Sequence, residues 1–215
     1  MLALENIEVS IQSVPILRGV NLRATESELI GLIGRNGAGK TTTLRTIMGL
    51  TRIATGTLRL GGEEVTELPS HRRVHLGVGY MPEDRRLTPE LTVEENMLLP
   101  AWVNPNIDQA RALSFIYELM PELQAMRKRK ALLLSGGQQK MVALGRALTA
   151  GTRVLLLDEP FEGVAPALAH RLAEVIGSLR EDKRTILIAQ SELTHSSALL
   201  DREYVIERGA IVNQP

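Results

Sequence analysis

The chain is 215 residues long, 44% apolar and 23% charged, which suits a globular domain with a substantial core and excludes a wholly disordered chain. Lys+Arg and Asp+Glu both number 25, so the net charge of +0 supplies no global basic field to recruit nucleic acid or an anionic membrane. With no cysteine, disulfides, thiolate metal sites and a thiol nucleophile are excluded, and the composition fits a reducing compartment.

In chain order, Leu4, Ile7 and Val9 predict an early strand, and the apolar run 29–33 predicts a buried one. A glycine-rich turn and a helix over about 39–50 follow, then a strand over 55–61. From about residue 84 to 130 the texture changes, with Pro82, Pro89, Pro100 and Pro105 predicting loops. A helix is predicted over 107–126, with Leu113, Ile116, Met120 and Leu123 on one face. Glu94 and Glu95 are placed to cap a helix starting near Thr92, and Trp102 is expected to pack in the core. A helix over 137–149, a buried strand over 154–157, a helix over 166–180 and a strand over 185–189 come next. A short helix and two strands lead to about residue 212. Alternation of strand and helix predicts an α/β fold with a mostly parallel sheet covered by helices. No apolar run approaches the ~20 residues needed to cross a bilayer, so a membrane role has to come through a partner.

The strongest motif is Gly34-Arg35-Asn36-Gly37-Ala38-Gly39-Lys40-Thr41-Thr42, which follows an apolar strand and opens a helix. Its glycines let successive N–H groups turn inward as a nest for phosphate oxygens, and the helix end adds about half a positive charge. Lys40 is expected on the β- and γ-phosphates and the Thr41 hydroxyl on Mg²⁺.

Val154-Leu155-Leu156-Leu157-Asp158-Glu159-Pro160 is an apolar strand ending in two acids, which it delivers to the sheet edge where ligands bind in such folds. Asp158 suits a hydrated Mg²⁺, and Glu159 suits polarising a water that attacks the γ-phosphate. Leu134-Ser135-Gly136-Gly137-Gln138 opens the next helix and offers main-chain N–H groups at another positive helix end. A Ser-Gly-Gly helix cap alone is equally common.

Taken together, these residues resemble the nucleotide-binding subunit of an ATP-binding cassette (ABC) transporter, over essentially the whole chain. The resemblance implies a single ABC ATPase domain, residues 1–215. It has a P-loop NTPase core, an N-terminal antiparallel β subdomain and a helical subdomain inserted at about 84–143. It implies ATP hydrolysis with Mg²⁺ and head-to-tail pairing with a second ABC ATPase subunit, the same or different. Ser135, Gly136, Gly137 and Gln138 of one subunit would then close over the nucleotide of the other. Transmembrane permease subunits would hold the chain at the cytoplasmic face of the membrane. Gly79-Tyr80-Met81-Pro82-Glu83-Asp84-Arg85-Arg86, Pro89-Glu90-Leu91-Thr92-Val93-Glu94-Glu95-Asn96 and Gly163-Val164-Ala165-Pro166 look like the branched-chain amino acid importer branch. That branch works with a solute-binding protein, and its urea and short-amide relatives share the texture.

Four positions depart from the wider family. The aromatic that stacks on adenine falls near Ile11, the Mg²⁺-sensing glutamine at Glu83 and the switch histidine at Gln190. The aspartate of the loop after the acidic strand falls near Ala165. Gln190 can donate to a phosphate but cannot exchange protons near neutral pH, which leaves Glu159 as the general base. His195 is read as a surface residue.

The basic run Met126-Arg127-Lys128-Arg129-Lys130 is expected to be a solvated helix end, and Arg85-Arg86 a docking loop. A soluble ABC ATPase acting on nucleic acid or ribosomes is the alternative. The stretch from Lys40 to Ser135 carries no sustained heptads, and the chain holds one cassette rather than two, so no nucleic-acid partner is expected. A GTPase or small-molecule kinase is disfavoured, since no Asn-Lys-x-Asp is present.

Overall fold

A computed structural model describes residues 1–191 and 198–213. Its strands are β1 (Leu2–Ile11), β2 (Val14–Ala24), β3 (Leu29–Ile33), β4 (Thr55–Leu60), β5 (Glu63–Glu64), β6 (Val78–Met81), β7 (Val154–Asp158), β8 (Thr185–Gln190), β9 (Arg202–Glu207) and β10 (Ala210–Ile211). Its α-helices are α1 (Lys40–Ile47), α2 (Ser70–His75), α3 (Val93–Val103), α4 (Gln109–Leu119), α5 (Pro121–Ala125), α6 (Gly136–Ala150) and α7 (Pro166–Ser178).

The strands form two sheets. One is antiparallel, in the order β2-β1-β4-β5. Its first hairpin turns through Gln12 and Ser13, both at positive φ (48° and 64°), the left-handed pair that a two-residue hairpin loop requires. The other runs β10-β9-β3-β8-β7-β6 and is parallel except at β9–β10.

Burial of both faces explains the apolar runs at the centre of the second sheet. Side chains alternate along each strand. Ile30, Leu32, Leu156 and Leu187 therefore face a core shared with α1 and the antiparallel sheet, where Leu2, Leu22, Leu44, Ile47 and Leu58 are buried. Leu29, Leu155, Leu157, Ile186 and Ile188 face the opposite core, built with Met97, Ile116, Leu144, Leu172 and Ile176. Leu155 is fully buried, and truncating such a side chain to Ala costs about 2–5 kcal/mol.

Strand order sets the site. β3, β8, β7 and β6 are consecutive neighbours in the sheet, with Ile33 beside Gln190, Asp158 beside Ala189 and Met81 beside Leu157. Their C-terminal ends therefore place the Gly34 loop, Gln190, the Asp158–Glu159 pair and Glu83 along one edge. Ligands of open parallel sheets bind outside these ends.

The helical section corrects several expectations. The predicted helix over 107–126 is two helices, because Pro121 cannot donate an N–H and holds Met120 out of the helical region, at φ −135° and ψ 75°. Pro100 breaks nothing and lies inside α3. Val93, Met97 and Ala101, at i, i+4 and i+8, take the buried stripe of α3. That leaves Trp102 half-exposed, not in the core. The cap at Thr92 is a capping box with Glu95 alone, while Tyr117 donates to the Glu94 carboxylate. The basic run forms turns after α5; Lys130 pairs with Glu90, and Arg129 donates to the Leu133 carbonyl. β6 and α2 carry too little apolar periodicity to be predicted. His195 and the predicted short helix after β8 fall at 192–197, outside the described residues.

Candidate functional site

The phosphate-type loop joins β3 to α1. Gly39 stands at φ 113°, where a side chain would be strained. A Cβ on Gly34 would come within 2.3 Å of the Ile206 carbonyl oxygen, so the loop can seat on β9 only without one. Arg35, Asn36 and Gly37 are exposed, whereas Ala38, Gly39 and Lys40 are buried. Thr42 lies in the first turn of α1, its carbonyl accepting from Thr46 Oγ1 at 2.7 Å.

Lys40 curls back over this loop. Its Nζ donates to the carbonyls of Gly34 (2.7 Å) and Arg35 (3.3 Å) and to Ser191 Oγ (3.0 Å), and it lies 3.2 Å from Glu159 Oε1. The pair is buried on both sides, so its attraction is little screened by solvent. Glu159 follows directly on β7, at φ 46°, with its N–H donating to the Ala189 carbonyl at 2.9 Å. Ser191 completes the cluster. Its Oγ is 2.6 Å from Glu159 Oε1 and 2.8 Å from Asn36 Oδ1, and its N–H donates to Glu159 Oε2 at 3.2 Å.

Asp158 is fully buried beside this cluster. Thr41 Oγ1 donates to its Oδ1 at 3.2 Å and Tyr80 Oη to its Oδ2 at 3.1 Å. Burial raises its pKa from an ordinary 3.8 to about 6; Glu83 and Glu159 add to the rise, against the Thr41 and Tyr80 hydrogen bonds. Burial, with the Asp158 charge behind it, pushes the Tyr80 phenol up as well. Glu83 is exposed and lines, with Thr41 and Asp158, a cavity of about 220 Å³.

The raised pKa carries a sign. Between about pH 3.8 and 6 the folded state holds a proton on Asp158 that the unfolded chain has lost, so stability falls as pH rises through that window. Above about pH 6 the ionised carboxylate opposes folding by up to about 3 kcal/mol. Asp158→Asn should therefore stabilise the nucleotide-free protein by about 1–3 kcal/mol at pH about 7, with the gain vanishing near pH 4. Urea denaturation at both pH values tests this; equal or lower stability of the variant at neutral pH would contradict it.

The structure thus gathers Gly34 to Thr42, Glu83, Asp158, Glu159 and Gln190 at one edge. Gln190 ends β8, buried, its carbonyl accepting from the Gly34 N–H at 3.3 Å. Ile11 stands apart. It ends β1 at the exposed tip of the first hairpin and does not line the cavity beside the Gly34 loop. Ser135 and Gly136 are exposed at the start of α6. There Ser135 accepts from the Gln138 N–H, and the Gln138 side chain accepts from the Ser135 N–H. Ala165 is exposed before Pro166, the first residue of α7. Arg85 and Arg86 are held within the chain: Arg85 donates to Gln139 Oε1, Arg86 pairs with Asp84, and Arg146 donates to both of their carbonyls. Ser191 and Tyr80 went unpredicted as site residues. A serine directly after the third strand end was the one available signal for Ser191.

Comparison with known proteins agrees with this geometry. Residues 17–162 match the family model described as ABC transporter. The chain is 35% identical over 212 residues to the high-affinity branched-chain amino acid transport ATP-binding protein BraG of Pseudomonas aeruginosa, covering 99% of this chain and 91% of that protein. It is 33% identical over 214 residues to the lipopolysaccharide export system ATP-binding protein LptB of Haemophilus influenzae, covering 99% and 89%. Among solved structures, a nucleotide-free ATP-binding cassette from an ABC transporter superposes with a TM-score of 0.87 at 29% identity, covering 99% of this chain and 90% of that one. A dimeric post-hydrolysis cassette bound to ADP and phosphate shares the fold, with a TM-score of 0.90 at 21% identity, covering 100% and 98%. A glycine-rich loop with a buried lysine after β3 and two successive carboxylates at the end of β7, with β8 between them in the same sheet, within a family match spanning most of the chain, lead to one conclusion: the protein belongs to the ABC transporter family and is an ATP-binding, ATP-hydrolysing subunit of a transporter.

Proposed function

We propose that the chain is the ATP-driven motor of an importer for branched-chain amino acids or related small polar solutes, working at the cytoplasmic face of the membrane. It would dock on transmembrane permease subunits, pair with a second cassette and serve a solute-binding protein. Among the described residues no helix is long and apolar enough to cross a membrane, so the permease subunits would carry the solute path. The observation that carries the reading is the convergence of Lys40 and Thr41 with Asp158 and Glu159 at one edge of the parallel sheet, together with an exposed Ser135–Gly136 corner. The similarity to BraG supports the cargo class. The similarity to LptB supports an exporter as the second reading.

In this reading the N–H groups where the loop enters α1, Gly39 to Thr42, and the Lys40 ammonium hold the nucleotide phosphates. Thr41 and Asp158 present hard oxygen donors 3.2 Å apart, and Asp158 is a buried carboxylate whose charge a cation would offset, so the pair fits Mg²⁺, with Glu83 nearby. A bound Mg²⁺ would supply charge neutralisation on the phosphate oxygens. Glu159 accepts the proton of the attacking water, Ser191 fixes its carboxylate, and the Gln190 amide donates to the γ-phosphate. Ser135, Gly136, Gly137 and Gln138 close over the nucleotide of the opposing subunit.

Gly136 tests the trans contact. The nearest atom an added Cβ would meet there is Arg85 Nη1, at 3.4 Å, an ordinary contact, so a Cβ fits the isolated subunit. Gly136→Asp should keep nucleotide affinity within about twofold and lose at least about tenfold in hydrolysis, as a carboxylate meets the partner's phosphate. Wild-type hydrolysis would remove this corner from the site. Affinity purification from membranes, followed by uptake and export assays on the recovered complex, tests partners and direction together. Recovery of lipopolysaccharide-handling subunits would favour the exporter.

A further inference from the structure

Lys140 lies on α6, one and a half turns past Ser135, and its side chain is buried. Nζ donates to the Glu159 carbonyl at 2.6 Å and to the Glu162 carbonyl. Between these two carbonyls the chain turns on itself, with the Glu162 N–H reaching back to the Glu159 carbonyl at 3.3 Å. Glu159 stands at a positive φ of 46°, which a non-glycine residue holds only when its surroundings over-determine it. Both of its main-chain groups are secured: the N–H by the Ala189 carbonyl of β8, the C=O by Lys140. A buried ammonium is costly, and both burial and the nearby Arg85 disfavour its charge. A methionine would fill the same space without that cost, so what lysine adds here is its donors.

We propose that Lys140 is a positioning residue for hydrolysis. By gripping the main chain at Glu159 and Glu162, it holds the Glu159 carboxylate in its reactive place. It also ties that placement to the helix whose exposed end carries Ser135 and Gly136. The same helix holds the loop after β6, through Arg146 on the carbonyls of Arg85 (2.5 Å) and Arg86 (2.7 Å). A helix shift on closure over a second subunit's nucleotide would thus be transmitted to Glu159. The inference rests on Glu159 acting as the base, as read above.

A double-mutant cycle on the full chain tests it. Lys140→Met should lower kcat for ATP by about tenfold or more while KM stays within about twofold, since the base is displaced and the nucleotide grip is not. Lys140→Gln, which keeps an amide donor, should recover part of the loss. In a Glu159→Gln background, Lys140→Met should cause no further fall in the residual single-turnover rate, because the group it positions is already gone. Wild-type kcat in Lys140→Met overturns the proposal, as does a further about tenfold loss in the Glu159→Gln background. Thermal melts run alongside; if the Met variant does not fold, Lys140→Gln decides by the same two comparisons. Wild-type turnover in Glu159→Gln itself would overturn the role of Glu159 and this proposal with it. An inactive Glu159→Gln beside an unaffected Lys140→Met overturns Lys140 alone.

Discussion

Glu159→Gln should turn over ATP about 10²- to 10⁴-fold more slowly than the parent, the range lost when a general base is removed. The substitution is close to isosteric. The amide oxygen can still accept from Ser191, and the main chain at φ 46° keeps its bonds to Ala189 and Lys140. Nucleotide affinity should not fall. Removing the carboxylate takes a negative charge away from the phosphate side and frees Lys40 from its 3.2 Å partner. Phosphate release and a nucleotide titration on one preparation separate these effects. Wild-type turnover would take Glu159 out of the chemistry.

Lys40→Ala should have the largest effect on binding. The lysine is the buried side-chain cation of the phosphate-type motif, Arg35 being exposed, and its interaction with a phosphate there is little screened. Losing such a partner costs about 2–4 kcal/mol of affinity, or roughly 30- to 1000-fold in Kd. The fold should also suffer, because Glu159 keeps its charge in a buried place with its cation gone, at about 3–5 kcal/mol for a pair broken on one side. These effects come apart in Lys40→Ala/Glu159→Gln. Neutralising both partners should restore much of the thermal stability while binding stays weak. Calorimetric titration and a melt of each variant read this out. An unchanged Kd in Lys40→Ala would contradict the role of the loop.

The centre of the site was legible because its requirements are local. Only glycine tolerates the main chain at Gly39, and a buried strand announces itself as an unbroken apolar run, so β3, β7 and β8 and the groups at their ends stood out. The capping boxes at Thr92 and Ser135 also lie within a few residues of chain. What was missed depends on distant partners. Lys140 reads as part of a polar helix start, and its burial exists only because two carbonyls from the loop after β7 arrive over it. Ser191 gains meaning from Lys40, Asn36 and Glu159, which sheet order rather than sequence places around it. α2 is built around Arg73, a buried cation satisfied by the carbonyls of Thr46, Ile47, Thr66 and Leu68, a pattern that no hydrophobic period reveals. Trp102 failed in the opposite sense: α3 carries more apolar side chains than its one buried stripe can cover.

Nucleotide gripped by one subunit and lidded by the Ser135 corner of another is the claim on which the rest depends. Light scattering of Glu159→Gln, with and without Mg²⁺-ATP, addresses it most directly. The expected result is one chain mass without nucleotide and twice that mass with it, reversed when Gly136→Asp is added. A single chain mass at saturating ATP, with binding demonstrated in the same sample, would contradict it.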